Sequence, residues 1–251
     1  MKLALLALLF TGCALDELDL GESQQDVMTS NKLASNKLAS NKLASNKLAA
    51  NKLAAASFAT GQLARPLVEN ADGREVLTYL VACALGPTQS VAFTSSTGTA
   101  YKFTGEIGIA PAWTTRALTL DEQRWTSACV FARTNYYGIP VALSIRGHHP
   151  ALGTTSGDLA YTSLDGGFYG NLFDPTGPKE YACDGRSTNT QRICADPAPD
   201  GVTTNCGFTF TGMCGGLHAA CDFASDKCRI TLNGPLDSTV YAQVAIVYLM
   251  P

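Results

Sequence analysis

The stretch that begins at Thr119 and reads TLDEQRWTSACVFARTN as far as Asn135 predicts an α-helix that ends near residues 135–138. Thr119 with Glu122 three residues later is a capping box, in which each side chain binds the other residue's backbone N–H at a helix start. Trp125 and Cys129 then recur at i and i+4, as residues do on the buried face of an amphipathic helix. We therefore expect this segment to bury Cys129 against the core.

A second helix of the same kind is predicted upstream. Asp72 can cap its start, with Glu75 three residues later reaching back, and Gly86-Pro87 stops it. Cys83 falls on its apolar face. The other apolar side chains of that face are Val76, Leu77, Leu80, Val81 and Ala84.

Runs of alternating or continuous apolar residues between turn residues predict strands in the remaining sequence. These runs are Gln89–Ser95, Ala100–Gly105, Pro140–Arg146, Lys227–Leu232 and Thr239–Leu249. The first two flank Ser96–Thr99 and predict a hairpin, whereas the last is apolar on both faces, as a central strand is. Two early helices with strands throughout residues 57–251 predict one α+β domain with a mainly antiparallel sheet.

The first thirteen residues have the form of an export signal. A basic start at Met1-Lys2 and a short apolar run, Leu3–Phe10, are typical of a secretory signal and are too short to span a bilayer. The five residues LFTGC that end at Cys13 resemble a bacterial lipobox. That resemblance implies a signal peptide of residues 1–12 and a diacylglycerol and palmitate anchor on Cys13, and Ala14 after it favours the outer membrane or cell surface. The alternative is an ordinary signal peptide cut near Cys13.

Nine cysteines fit the same interpretation, because eight are left when Cys13 carries a lipid. An even set in an exported chain predicts disulfide bonds. Because each predicted helix buries one cysteine, we predict a Cys83–Cys129 bridge. The other six lie in Gly-, Thr- and Asp-rich sequence and predict a disulfide-rich, loop-rich C-terminal lobe. They are Cys183, Cys194, Cys206, Cys214, Cys221 and Cys228.

Residues 13–56 have the composition of a tether in two parts. Residues 13–29 contain five acidic residues and no Lys or Arg, and residues 30–56 contain five copies of a five-residue repeat that begins Asn31-Lys32-Leu33-Ala34-Ser35. A period of five builds neither a helical stripe nor a one-sided strand, so we predict a spacer. The alternative is a short β-helical coil, resembling pentapeptide-repeat proteins, that docks on the domain. The five lysines of the repeats are candidates for contact with anionic lipid head groups.

Charge and motifs argue against several functions. Residues 57–251 carry twelve basic and sixteen acidic residues, which speaks against a nucleic-acid partner. No G-x-S-x-G, H-E-x-x-H, phosphate-loop or G-x-G-x-x-G motif is present, so no cofactor is predicted. The nearest approach to a metal site is Cys214, His218 and Cys221, whose spacing is wider than that of common zinc sites, so no metal is predicted.

Two groups of residues are candidates for a functional site. His148 and His149 follow a predicted strand, and Asp158 and Asp165 are near enough in sequence to be their catalytic partners. The alternative is a polar loop closed by Pro150.

Phe168 and Tyr169 form the second group. They lie in a stretch that alternates glycine with aromatic residues and could offer a sugar or peptide a stacking surface. The alternative is a tight turn whose rings enter the core.

The lipobox, the Asn-Lys-Leu-Ala repeat and the segments LDEQRW (residues 120–125), ARTN (132–135) and FYGNLF (168–173) together resemble uncharacterised cysteine-rich lipoproteins of myxobacteria. The resemblance implies an address and a shape rather than a mechanism. One functional class is a lipid-anchored binding or structural module of the cell envelope or surface, meeting another surface protein or a glycan. The other is a secreted effector, hydrolase or lipoprotein toxin that depends on His148 or Asp158. We favour the first because the polar residues form no convincing catalytic set.

Overall fold

A computed structural model describes residues 33–34, 65–135, 140–185, 208–214, 221–223, 227–229 and 240–251. Within them the fold is α+β, as the sequence predicts. The helices are α1 (Arg65–Glu69), α2 (Ala71–Ala84) and α3 (Leu120–Ala132). The strands are β1 (Leu33–Ala34), β2 (Ser90–Thr94), β3 (Ala100–Thr104), β4 (Thr134–Asn135), β5 (Ser144–Arg146), β6 (Ser163–Asn171), β7 (Lys179–Asp184), β8 (Thr209–Met213), β9 (Cys221–Asp222), β10 (Lys227–Arg229), β11 (Val240–Tyr241) and β12 (Val244–Leu249).

Several predictions from the sequence concern residues outside these ranges. The lipid site, two of the cysteines, the third histidine and the repeat copies after the first are among them. They are Cys13, Cys194, Cys206, His218 and residues 36–55.

Helix α3 begins with the predicted capping box but ends at Ala132, earlier than predicted, because Thr134–Asn135 is a strand. The Thr119 N–H donates to Glu122 Oε2 at 2.8 Å, and the Glu122 N–H donates to Thr119 Oγ1 at 3.3 Å. Arg116 also holds Glu122, through two 2.6 Å hydrogen bonds from its guanidinium to the carboxylate. The first turn is therefore fixed by three side chains close together in sequence.

Helix α2 is capped by a different residue from the one predicted. The N-cap is Asn70, whose side chain accepts from the Gly73 N–H, and Asp72 lies inside the first turn. An Asn at this position satisfies a helix donor as well as Asp would, while Asp72 still interacts favourably with the positive end of the helix. At the other end, N–H groups of residues 106–110 bind the last carbonyls of α2, so the helix terminus is satisfied by the loop packed on it.

The predicted bridge between the two helices is present. Cys83 of α2 and Cys129 of α3 are disulfide-bonded with 6.0 Å between their Cα atoms, and both are fully buried. The bridge joins two elements 46 residues apart in sequence.

A five-stranded sheet forms the centre of the fold, in the order β5-β12-β6-β7-β8. Its first three pairings are antiparallel and β7 pairs with β8 in parallel, so the sheet is mainly antiparallel as predicted. Strand β12 has neighbours on both sides, which fits its apolar sequence. Helix α3 packs on β6 and β12, and α2 packs on α3.

The sheet is buried on both faces. On β12, Ala245, Val247 and Leu249 belong to the large core with α2 and α3, whereas Val244 and Ile246 belong to a smaller core on the opposite face. The smaller core also contains three tyrosines and four cysteines. They are Tyr169, Tyr181, Tyr241, Cys183, Cys214, Cys221 and Cys228.

The predicted hairpin is present as β2 and β3, antiparallel and in register from Ser90–Thr104 to Thr94–Ala100. Its turn is closed by the Ser95 N–H, which donates to the Thr99 carbonyl at 2.8 Å.

Other strands are shorter than predicted. Only Ser144–Arg146 of the predicted Pro140–Arg146 run is a strand, and the predicted Thr239–Leu249 strand is divided at Ala242-Gln243. After that break the chain moves from a three-stranded sheet, β11-β10-β9, to the central sheet. Tyr241 of β11 and most of β12 are buried, whereas Val240 is exposed.

The first repeat contacts the domain. Leu33 of β1 pairs in parallel with Thr134 of β4, and Ala34 with Asn135. No helix in the described part of the chain is long and apolar enough to cross a membrane.

Candidate functional site

His149 lies half-buried between α3 and the loop that follows β5. Its Nδ1 accepts from the Ala151 N–H at 3.1 Å, which starts a short 3-10 helix at Pro150–Leu152. Its ring centroid is 5.4 Å from that of Trp125. Burial lowers the pKa of His149, and the negative charge of Asp121 partly offsets that effect. The His149 ring, with Nδ1 accepting from the backbone, is thus part of the packing between loop and helix.

Asp158 is buried and also starts a short 3-10 helix, Ser156–Ala160. Its Oδ2 accepts from the Thr155 N–H at 2.9 Å and from the Thr155 hydroxyl at 3.0 Å. These contacts turn the chain within the loop and occupy Oδ2, whereas Oδ1 is buried without a hydrogen-bond partner among the described residues.

Arg146, at the end of β5, holds this loop against the sheet. Its Nη2 donates to the Asp158 carbonyl at 2.8 Å and to the Tyr161 carbonyl at 2.6 Å. Its Nε donates to Ser144 Oγ at 3.0 Å, and its guanidinium lies 4.0 Å from the centre of the Tyr248 ring. Because these Arg146 donors bind acceptors of the protein itself, Arg146 fixes the loop against the sheet.

His148 and Asp165 have different surroundings. His148 is exposed beside the half-buried His149, whereas Asp165 is buried on β6. Asp165 lies near Asp184 on β7, where burial and the charge of Asp165 raise the pKa of Asp184. The negative charge that acts on His149 comes from Asp121 on α3, a residue that no sequence motif links to His149.

Phe168 and Tyr169 enter the core. Each ring is 0 % exposed, Phe168 on the helix side of the sheet and Tyr169 on the other. Neither offers an exposed stacking surface, so the proposed ligand-binding role is corrected to packing. Consecutive residues of a strand point to opposite faces, and here both faces are covered.

Tyr169 belongs to a cluster of three tyrosines. Its ring centroid lies 5.6 Å from those of Tyr181 and Tyr241, which are 5.7 Å apart. The Tyr169 hydroxyl donates to Thr211 Oγ1 at 2.8 Å, and burial raises the pKa of Tyr169 to about 12. The Arg124 guanidinium lies 4.9 Å from the Tyr241 ring and covers the cluster on one side.

Two disulfides lie beside these tyrosines. Cys183 is bonded to Cys214 and Cys221 to Cys228, and 3.3 Å separates Cys183 Sγ from Cys221 Sγ. Gly167 is needed where they meet the sheet, because a Cβ there would lie 3.0 Å from Cys183 Sγ. The two disulfides are buried and therefore have a structural role.

In the described residues no group of three His, Cys, Asp or Glu side chains is arranged to hold a metal ion. The contacts that organise the region around His149 come from Trp125, Asp121 and Arg146. In the sequence, Arg146 stands out only as the last residue of the alternating Pro140–Arg146 run. Trp125 belongs to the buried face of α3, and Asp121 belongs to its first turn.

The chain matches no protein-family model, no curated protein and no solved structure.

Proposed function

We propose that this protein is exported and is held at the outer membrane or cell surface by a lipid on Cys13. The disulfides at Cys83–Cys129, Cys183–Cys214 and Cys221–Cys228 support the proposal, because such bonds indicate an oxidising, extracytoplasmic environment. A chain exported by a signal ending in LFTGC has a cysteine placed for lipidation. Two or more acyl chains on that residue would give stable attachment, which one chain does not.

We infer further that the folded domain is a binding or structural module. The main support for this inference is that the candidate catalytic groups make structural hydrogen bonds. His149 Nδ1 and Asp158 Oδ2 accept backbone N–H groups that start 3-10 helices, and Arg146 binds two carbonyls. A general base needs its acceptor atom available to the proton it removes. The partner of such a module would be another surface protein or a glycan, and kinship with the cysteine-rich lipoproteins of myxobacteria is part of this proposal.

Metabolic labelling tests the lipid. The full chain is expressed in a Gram-negative host with an alkyne analogue of palmitate, and the mature N-terminus is identified by mass spectrometry. We expect label on a chain that begins at Cys13, no label on Cys13→Ser, and normal label on the control Ser30→Ala. Unlabelled wild-type chain, or label retained by Cys13→Ser, contradicts the proposal.

Growth of the same host tests the module. We expect the exported full chain to leave growth unaffected, and His148→Ala to change nothing. Growth inhibition that disappears in His148→Ala or Asp158→Ala would instead identify an effector or hydrolase.

A further inference from the structure

Strand β4 takes a partner strand from the tether. Leu33 and Ala34 of the first repeat pair with Thr134 and Asn135, and among the described strands β1 is the one that pairs with β4. Thr134 and Asn135 are 1 % and 2 % exposed. Buried backbone N–H and C=O groups need hydrogen-bonding partners, so an added strand satisfies groups that burial would otherwise leave at a cost.

The sequence supplies that strand five times. Every copy has Asn-Lys-Leu-Ala at the same four positions. The Leu-Ala pairs stand at residues 33–34, 38–39, 43–44, 48–49 and 53–54. A slip of one residue along a strand exchanges its two faces, but a slip of one whole repeat brings the same side chains to the same places. The contact with β4 therefore does not distinguish one copy from another.

Chain length distinguishes the copies only weakly. Ala34 lies 31 residues before Arg65 and Ala54, in the last copy, lies 11 residues before it. Shortening a flexible loop to about a third changes the population of the closed state by only about fivefold, in favour of the shorter loop. Reach is sufficient, because 11 extended residues span about 36 Å and α2, which β1 contacts, is about 21 Å long.

We propose that β4 is a strand-addition site for the Asn-Lys-Leu-Ala unit, and that the five copies exchange on it. The ligand is an extended peptide segment of this chain's own tether, recognised by backbone pairing in the manner of other added strands. Exchange of the first copy for the last lengthens the stretch of chain between Cys13 and the docked Leu-Ala pair from residues 14–32 to residues 14–52. If Cys13 carries the lipid, as in the proposed function, the domain's maximum distance from the membrane then grows by about 66 Å.

Hydrogen–deuterium exchange at the Thr134 and Asn135 amides of the full chain tests the site. One variant carries Leu33→Pro with Ala34→Pro, and a second carries both changes in all five copies, since proline removes the N–H that pairing uses. The matched control, Asp19→Pro with Leu20→Pro, places the same change in the acidic segment. We expect less than a twofold acceleration in the first variant and in the control, and at least tenfold in the second.

An acceleration above threefold in the first-copy variant overturns the proposal, because it assigns docking to that copy alone. An acceleration below threefold in the five-copy variant also overturns the proposal. Protection of α3 amides reports that the domain is folded, and deletion of residues 31–35, which leaves four intact copies, must likewise keep acceleration below threefold. Amide exchange does not depend on the lipid, so we expect Cys13→Ser chains to give the same result. Failure of the proposed anchor can therefore be told apart from failure of the strand-addition proposal.

Discussion

Glu122 links the start of α3 to the pH dependence of stability. The Arg116 hydrogen bonds, followed by those from Thr119, lower the pKa of Glu122 to about 2. Its contribution is therefore complete above the unfolded pKa of about 4.5 and is lost as pH falls towards 2. We expect the free energy of unfolding to fall less steeply between pH 5 and pH 2 in Glu122→Gln than in the wild type.

Urea unfolding at successive pH values measures this difference. Arg116→Gln is the matched control, because it leaves the carboxylate and the Thr119 cap while moving the loss of stability to higher pH. If the curves of unfolding free energy against pH are parallel for the wild type and Glu122→Gln, the capping contacts do not lower the pKa of Glu122.

The second prediction at the scale of a single residue concerns His149, which is a base, whereas Glu122 is an acid. Its pKa is lowered by burial, so the folded state binds fewer protons and stability falls as pH drops below about 6.5. Asp121→Asn removes the charge that raises the His149 pKa but keeps an oxygen to accept the 2.7 Å hydrogen bond from Gln243 Nε2.

NMR titration of the imidazole signals measures the effect. We expect the His149 pKa to lie below 6.5 in the wild type and lower still in Asp121→Asn. Asp174→Asn, at an exposed turn, is the control and should leave it unchanged. A His149 pKa that rises in Asp121→Asn would contradict the described environment.

Gly170 shows how a backbone position selects a residue. Its φ is +134°, and a Cβ there would meet the Lys179 carbonyl, whereas Gly98 has a φ of +83° with nothing within 4 Å. We expect Gly98→Ala to cost about 1 kcal/mol from conformation alone, and Gly170→Ala to cost about 3 kcal/mol. Chemical denaturation measures both, and equal costs would show that the close approach to Lys179 is not rigid.

Local signals explain which residue contacts were predictable. Thr119 and Glu122 lie three residues apart, so their capping box was readable from the sequence. His149 depends on Trp125 and Asp121, more than twenty residues away, and no spacing encodes that approach. Phe168 and Tyr169 have the composition of a binding surface, but only the sheet order shows that both faces are covered.

At the scale of elements, the bridge between α2 and α3 allows a comparison of disulfides. The Cys83–Cys129 bond closes a separation of 46 residues and the Cys221–Cys228 bond one of 7. In the chain-entropy model these loops correspond to about 4 and about 2 kcal/mol. We expect the Cys83→Ala/Cys129→Ala chain to lose about twice the unfolding free energy that the Cys221→Ala/Cys228→Ala chain loses.

Equilibrium unfolding of the two double variants measures these losses. Cys221 and Cys228 are as deeply buried as the first pair, so loss of side-chain packing is matched between them. A larger loss for Cys221→Ala/Cys228→Ala would mean that the helix pair is held mainly by its apolar contacts.

Elements were predictable where a local pattern and a stop signal coincide. Both longer helices and the hairpin β2–β3 have such signals, and Cys83–Cys129 followed because each cysteine lies on a buried helical face. The break at Ala242-Gln243 has no turn signal, and its cause is that β11 and β12 join different sheets. The pairs Cys183–Cys214 and Cys221–Cys228 depend on how β7, β8, β9 and β10 meet, which eight cysteines in a sequence do not specify.

At the scale of the whole molecule, the disulfides link folding to the redox environment. All six cysteines of the described residues are bonded and buried, which indicates an oxidising, extracytoplasmic environment. The tether begins at Cys13 and its first repeat ends on β4, so the segment that would leave the membrane is paired to the domain. If Cys13 carries the proposed lipid, anchor, tether and domain form a continuous path from lipid to folded surface.

Membrane fractionation of the full chain and its Cys13→Ser variant tests the anchor most directly. After cell lysis and a high-salt wash, we predict wild-type protein in the outer-membrane pellet and Cys13→Ser protein in the soluble fraction, both with the Cys83–Cys129 bond formed. Ser30→Ala should pellet as the wild type does. A Cys13→Ser chain that still pellets with the membrane, or a wild-type chain that does not, would contradict the account.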